Sequence, residues 1–476
     1  MAGAIAVFAC LTGCTLLDPH VPAPEIEVPN LYTNQKGKAP STTTPYDFVS
    51  FKSKYLNELI ALGRGFNFDI GAAIARIQEA EAQVRQAEQQ LIPIINTSGT
   101  GVSQSLEPPA RQGGHVTTTV TAQLSGTYTV DIWGQYKALV FAAIANQYSA
   151  SFTAALTTIT TDASIGTTYF EAIGTQEQID IEKRNLVAAK RILKAIQDRF
   201  KQGTASGLDV AQQETLVDNV AVTIPPLERY LAQYKYALAV LVGQAPETFR
   251  YKADKLFSVA VPVIPSGLPS DLLCRRPDIA QAEAVLAADK FNVSSARAAM
   301  FPAIQLTGQG GFQSAALASL FQPQNTFYNL AAGITQPITN EFGLQATLDL
   351  NKATYGADLQ TYRKTIVTAF QNVESALIAY KKDAEQERLQ HEAVVSARRA
   401  FDLSEQQLRG GIIDVTTLLQ VEQTLFTAEI AYAQIRETRL LDAVSLYQNL
   451  GGGWYKPGDA GIAEVASVIE VKAKAP

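Results

Sequence analysis

The sequence states its architecture twice. The stretch FDIGAAIARIQEAEAQVRQAEQQLIPIINTSGTG, from Phe68, aligns with PDIAQAEAVLAADKFNVSSARAAMFPAIQLTGQG, from Pro277, so that Asp278 lies 209 residues after Asp69. The same register pairs Ile70 with Ile279, Ala87 with Ala296, Pro93 with Pro302, Ile95 with Ile304, Gly99 with Gly308 and Gly101 with Gly310. It also sets Trp133-Gly134 against Phe342-Gly343. One residue closer, at 208, Gly203 meets Gly411, Gln212 meets Gln420 and Glu214 meets Glu422. Chance does not hold one register over about 150 residues, so the chain is a tandem duplication and its fold must be built from two like units. Each unit reads as helix, two strands, very long helix, turn, helix.

The strands alternate. Across His115–Asp131, Val116, Val120, Ala122, Leu124, Tyr128 and Val130 share one face, and Thr117, Thr119, Thr121, Gln123, Ser125, Thr127 and Thr129 share the other. Such a period of two predicts a half-buried strand or a membrane barrel strand. Ile304 and Leu306 alternate with Gln305 and Thr307; Tyr328, Leu330, Ala332 and Ile334 line a fourth strand. The segment from Pro93 carries the weakest pattern. Four strands are too few to close a barrel, for which about eight is the practical minimum, and lipid does not tolerate open edges. If these strands cross a membrane, several chains share one barrel, and three chains supply twelve strands. The alternative is a soluble four-stranded sheet packed on helices.

From about Gly134 to Gln202, and again from about Gly343 to Arg409, there is no proline. Each run is long enough for a helix of about 100 Å. Leu186, Ala189, Leu193, Ile196 and Phe200 follow 3-4 spacing, as do Leu418, Val421, Leu425, Ala428, Tyr432 and Ile435, the pattern of coiled-coil packing. Each long helix turns at a glycine, in KQGTASG (Lys201–Gly207) or RGGIID (Arg409–Asp414), and returns. The first return contains Pro225-Pro226, from which a kink or break is expected.

Little in the chain points to catalysis. The three histidines, His20, His115 and His391, are far apart, and the net charge is −6. A clustered His/Cys metal centre and nucleic-acid binding are therefore not expected, and no cofactor is implied. Gly99-Thr-Gly101 and Gly308-Gln-Gly310 lack the third glycine and the following helix of a dinucleotide loop. These glycines read instead as one strand face that must stay small. GTASG near Ser206 is not GxSxG and lies in a helix–helix turn. No enzyme activity is expected. Nor does a run of about 18 apolar residues occur, so no spanning helix is predicted.

The first residues, MAGAIAVFACLTGC, end in Leu11-Thr12-Gly13-Cys14 and resemble a bacterial lipobox, which predicts a lipid on Cys14 after removal of residues 1–13. The n-region lacks Lys and Arg, so the true start is expected upstream. Thr15 follows the cysteine in place of the aspartate that often retains lipoproteins in the inner membrane. Residues 14–66 read as a tether and equatorial segment, rich at first in proline (Pro19, Pro22, Pro24, Pro29, Pro40, Pro45). The repeats are bounded at 67–245 and 271–450, with a linker at 246–270 and a tail at 451–476. Cys274, the one thiol left after processing, is expected to be an inert packing residue.

The segment Ile264–Phe312, IPSGLPSDLLCRRPDIAQAEAVLAADKFNVSSARAAMFPAIQLTGQGGF, resembles the outer-membrane lipoprotein factors of tripartite efflux pumps, the TolC-like proteins that serve resistance-nodulation-division transporters. Leu238–Pro246, LAVLVGQAP, and Asp131–Gln135, DIWGQ, fit the same family. The resemblance implies a homotrimer: a twelve-stranded outer-membrane β-barrel continued by a hollow periplasmic α-barrel. One long helix of each repeat would run from barrel to tip. Opposite it, the tip-to-equator return and the helix before Pro93 or Pro302 would stand end to end. The implied function is passive export of small molecules such as drugs, handed over by an inner-membrane transporter and a periplasmic adaptor. The same resemblance leaves open a duct for type I protein secretion. A non-transporting coiled-coil envelope lipoprotein is the other reading of the helices, but it does not explain four alternating strands in duplicate.

In such families the hairpin tips form an iris that the partners open. Here the tips fall near Gly203, Asp209 and Gln212 and near Arg409, Gly411, Asp414, Thr417 and Gln420. Asp209 stands where relatives commonly have an aspartate that ties neighbouring helices together, with Arg409 as a candidate partner; the alternative is a solvated helix-start acid, favourable without any tie. Thr417 and Gln420 replace aspartates found in relatives with an acidic, cation-binding entrance, leaving Asp414 as the nearest acid. Cys274 stands where arginine is usual. In the equatorial motif, Arg275 and Arg276 precede Pro277 and Asp278. Two arginines at a positive helix start need an explanation. They have no copy before Asp69, where Asn67-Phe68 stand instead, so they are expected to do something the first half does not, most simply pairing with acidic groups.

Overall fold

The structure, a computed structural model, describes residues 48–105, 116–264 and 269–454. The signal segment, Cys14 and most of the tether and tail lie outside the described residues. After α1 (Lys54–Phe66), the first repeat runs through α2 (Phe68–Glu88), β1 (Ile94–Ser105), β2 (Val116–Val130), α3 (Gln135–Lys201) and α4 (Gly207–Leu241). The second runs through α5 (Pro269–Arg275), α6 (Pro277–Ala298), β3 (Ala303–Ser314), β4 (Thr326–Thr335), α7 (Glu341–Arg409) and α8 (Val415–Asn449). The order repeats, as the duplication requires.

The strands form one antiparallel sheet in the order β1-β2-β3-β4. It joins the two repeats through β2 and β3, where Val130 faces Ile304 and Tyr128 faces Leu306. The register gathers the large apolar residues of β2 and β3, and most of those of β4, on one face. Val120, Ala122, Leu124, Tyr128 and Val130 of β2 lie beside Ile304, Leu306 and Phe312 of β3, which lie beside Ile334, Ala332 and Tyr328 of β4. The other face carries Thr117, Thr119, Thr121, Thr127 and Thr129 of β2 and Gln305, Thr307, Gln309 and Gln313 of β3, together with Ile94 and Val102 of β1 and Phe327 of β4. Leu124 is 56% exposed, Leu330 79% and Tyr328 85%. Among the described residues most of this face is open, although Phe321 packs on Phe312, and β1 and β4 each have an unpaired edge. Among the paired glycines only Gly308 is kept small by a neighbour: an added Cβ would sit 3.1 Å from Leu330. Gly99 and Gly101, on edge strand β1, meet no side chain within 4 Å.

The long helices are single elements. α3 has 67 residues and α7 has 69, each about 100 Å at about 1.5 Å per residue. α3 contains one window apolar enough to cross a bilayer by composition. It lies instead along α4, α6, α2 and α8 as the spine of the helical body. α4 and α2 both lie along α3, and α8 and α6 along α7, in the columns expected. The break expected at Pro225-Pro226 does not occur, because α4 is one uninterrupted helix from Gly207 to Leu241. The prolines remove two amide donors, yet Val220, Ile224 and Leu231 keep the helix packed through the site.

Two cores anchor the body. At mid-height, Phe48, Phe51, Leu56 and Leu59 pack with Ile165, Tyr169, Phe170, Leu238, Leu256 and Val444. The segment before the first repeat thus ends in a helix built into the core. Near the tips, Ile192, Ile196, Leu216 and Val217 pack with Phe401, Leu408, Leu418 and Leu425, so one core joins both hairpins.

Candidate functional site: hairpin tips and helix junctions

Both tips are built alike. Each long helix ends on a glycine in the left-handed region, Gly203 at φ 74° and Gly411 at φ 70°. There the Thr204 N–H donates to the Arg199 carbonyl at 2.9 Å and the Gly203 N–H to Phe200 at 3.0 Å. At the other tip Ile412 donates to Gln407 at 2.9 Å and Gly411 to Leu408 at 3.1 Å. These are Schellman closures, which the αL glycine makes possible and which satisfy the last carbonyls of the helix.

The return helices are capped differently. At α4, the Asp209 N–H donates to Ser206 Oγ at 3.2 Å and the Ser206 N–H donates to Asp209 Oδ2 at 2.8 Å, a reciprocal box. At α8, Asp414 Oδ1 accepts the Thr417 N–H at 2.8 Å. Hydrogen bonds from Thr417, the hydroxyl first and then the backbone N–H, hold the Asp414 carboxyl below its ordinary range. Gln212 is half-buried and Gln420 exposed.

The structure does not join Asp209 to Arg409 within one chain. Arg409 instead reaches back one turn to Glu405 at 2.8 Å. The ties between hairpins come from arginines of α3: Arg191 meets Glu405 at 3.2 Å, and Arg199 donates to the Leu408 carbonyl at 3.3 Å. Also unread in the sequence was a buried pair between the returns, in which Gln213 Nε2 donates to Glu422 Oε2 at 3.2 Å. The signal was there: Glu422 falls between Leu418 and Leu425 at i+4 and i+7, a carboxyl placed in an apolar stripe.

The equatorial motif closes a helix junction. Pro277 opens α6 at its first position, where its missing N–H costs nothing. Arg276, 9% exposed, forks onto Asp278 at 3.0 and 2.6 Å and donates from Nη1 to the Asn449 carbonyl at the end of α8, at 2.8 Å. In the first repeat Asn67 stands at the matching place. Its Oδ1 caps α2 through the N–H groups of Asp69 and Ile70, and its Nδ2 donates to the Leu241 carbonyl at the end of α4, at 2.9 Å. Gly243 and Gly451, both at positive φ, turn the chain after these ends, and an added Cβ would run into the carbonyl of Phe66 or of Arg275.

Arg276 therefore pairs with an acid, as expected, but it shares its task with the first half. Both halves fasten the end of a return helix to the start of the barrel-side helix, one with an amide and the other with a guanidinium. Cys274 is exposed and free, not packed. The short helix α5 points Leu272 inward, 2% exposed, which leaves Cys274, two positions on, facing out.

The described residues hold no metal-type cluster of three or more His, Cys, Asp or Glu. What the arrangement offers is a conduit wall: long parallel columns, one lipid-compatible sheet face, and two helical tips. The Outer membrane efflux protein family model matches twice, over residues 60–244 and 268–452, the two halves of the duplication. The chain is 34% identical to the pyoverdine export outer membrane protein OpmQ of Pseudomonas aeruginosa, over 81% of this chain and 82% of the relative. It is 31% identical to the antibiotic efflux pump outer membrane protein ArpC of Pseudomonas putida, over 94% of each. In fold it matches a membrane protein from Pseudomonas aeruginosa with TM-score 0.84 at 26% identity, covering 91% of this chain and all of that one. It matches the Campylobacter jejuni CmeC outer membrane channel with TM-score 0.85 at 20% identity, covering 95% and 98%. With the duplication, the four-stranded sheet and the paired hairpins in place, the chain belongs to the outer membrane efflux protein family.

Proposed function

We propose that three copies of this channel chain close a twelve-stranded barrel in the outer membrane and extend it as a helical tube into the periplasm. The observation that carries this reading is the sheet: four strands, two unpaired edges and a largely apolar face across β2, β3 and β4. Open edges are not tolerated in lipid, so β1 of one chain pairs with β4 of the next. A lipid on Cys14 adds a membrane anchor. An inner-membrane transporter of the resistance-nodulation-division type and a periplasmic adaptor deliver small molecules to the tips, and the channel passes them outward without chemistry. The tip residues Gly203, Asp209, Gln212, Arg409, Gly411, Asp414, Thr417 and Gln420 lie at the periplasmic entrance. The relatives' roles in pyoverdine and antibiotic export support a small-molecule cargo over a protein one.

A heat-modifiable trimer band in outer-membrane fractions is the expected result; a monomer band alone at every temperature refutes the shared barrel. A deletion strain tested against antibiotics, dyes, metals and organic solvents is expected to be sensitised to at least one small-molecule class. Loss of secretion of a protein, with no such sensitisation, refutes the cargo assignment.

A further inference from the structure

Glu422 and Gln213 are the most deeply buried polar side chains at the tips, both at 0% exposure. They come from different hairpins: Glu422 lies near the start of α8, Gln213 near the start of α4. Gln213 Nε2 already divides its two hydrogens between the Ala189 carbonyl of α3 at 3.1 Å and Glu422 Oε2 at 3.2 Å. That leaves Gln213 Oε1 and Glu422 Oε1 buried with no donor among the described residues. Both are acceptors if Glu422 is a carboxylate, and two buried acceptors without a donor are costly. A single proton on Glu422 supplies the missing donor. The acid O–H then serves the amide oxygen while the amide N–H serves the acid, and the pair closes on itself.

We propose that Glu422 and Gln213 form a proton-dependent clasp that holds the two helical hairpins together as a neutral acid–amide pair and releases them when Glu422 ionises. The Gln213 N–H and the Arg191 charge favour an ionised Glu422, Glu405 opposes it, and burial outweighs them all. From α3 it feels Arg191, from α7 Glu405, and from α4 only the uncharged Gln213. Arg191 is committed to Glu405, which Arg409 also holds, so neither arginine is a dedicated counter-ion. Desolvation, the largest effect, pushes the Glu422 carboxyl up to about 7. The sign follows. In an opened tip Glu422 titrates in the ordinary carboxylate range, so between that range and about 7 the closed tip binds the extra proton. Closure is therefore favoured in acid and weakens as pH rises through this window. Direct α4–α8 contact is otherwise slight, so this bond is one of the few that span the returns.

The test is hydrogen exchange by mass spectrometry on the full-length protein purified from outer membranes, read at 207–222 and 415–428 and corrected for intrinsic rates. Protection there is expected to fall roughly tenfold between pH 5.5 and 8, in line with the linkage of one shifted carboxyl. Glu422→Gln, whose amide is a permanent donor, is expected to abolish this pH dependence while keeping protection. Glu422→Met is expected to be pH-independent too, but less protected throughout. A flat wild-type profile, or a wild-type pH response persisting in either variant, overturns the clasp. The clasp is a property of hairpin packing, so it does not rest on the trimer or on the cargo. Single-channel conductance of the same proteins in a planar bilayer reports the channel reading separately.

Discussion

The sequence offers Asp209 both as a tie between helices and as a helix-start acid, and in the structure it is the reciprocal half of a helix cap. The two roles separate by experiment. Asp209→Ala and Ser206→Ala each remove one arm of the box and are expected to loosen the start of α4 by about 1 kcal/mol, seen as faster exchange at 207–212. If Asp209 also ties the iris in the assembled channel, Asp209→Ala raises conductance in a planar bilayer and Ser206→Ala does not. Equal conductance in both variants assigns the aspartate to capping alone. The junction residues make the same point with larger numbers. Arg276→Ala leaves Asp278 without its buried partner and is expected to cost about 3 kcal/mol or more. Asn67→Ala, which removes a cap and one carbonyl contact, is expected to cost about 1–2 kcal/mol. Thermal dissociation of the purified protein ranks the two, and a reversed order refutes the equivalence of the clamps.

Elements end where backbone chemistry ends them. Gly411→Ala and Gly203→Ala force a side chain into the left-handed region, for about 1–2 kcal/mol each. Gly451→Ala adds a collision with the Arg275 carbonyl and is expected to be the worst of the three by thermal melting. On the sheet, a one-sided test distinguishes the faces. Leu330→Arg on the apolar face is expected to cost about 2–4 kcal/mol of insertion if it lies near mid-membrane, while Asn329→Arg, one residue away on the polar face, is tolerated. Membrane-fraction yield reads the difference, and equal yields refute the assignment of the faces. These elements were legible in advance because their signals are local: alternation for strands, proline-free runs for α3 and α7, glycine for the turns. At Pro225-Pro226, where the sequence allows a kink or a break, the helix does not break, for the opposite reason. Helix propensity is a local cost, and packing along α3 outweighs it.

At the scale of the whole molecule, the prediction concerns edges. After Cys274→Ser, cysteines placed on facing positions of β1 and β4 are expected to crosslink chains into a closed trimer under oxidation, since each chain leaves both edges open. Crosslinked dimers that never close to trimers refute the three-chain barrel. The sequence by itself determined the duplication, the order of elements, the long helices, the strand faces and the family, because repeats and periodicity are written along the chain. Only the tertiary structure decided which end meets which. That Arg276 and Asn67 do one job, that Arg191 and Arg199 rather than Arg409 tie the hairpins, and that Gln213 and Glu422 share a dry contact all depend on helices returning over about 100 Å to a common height. Contacts of that kind are set by the three-dimensional stacking of columns, and no pattern along one helix specifies its partner on another.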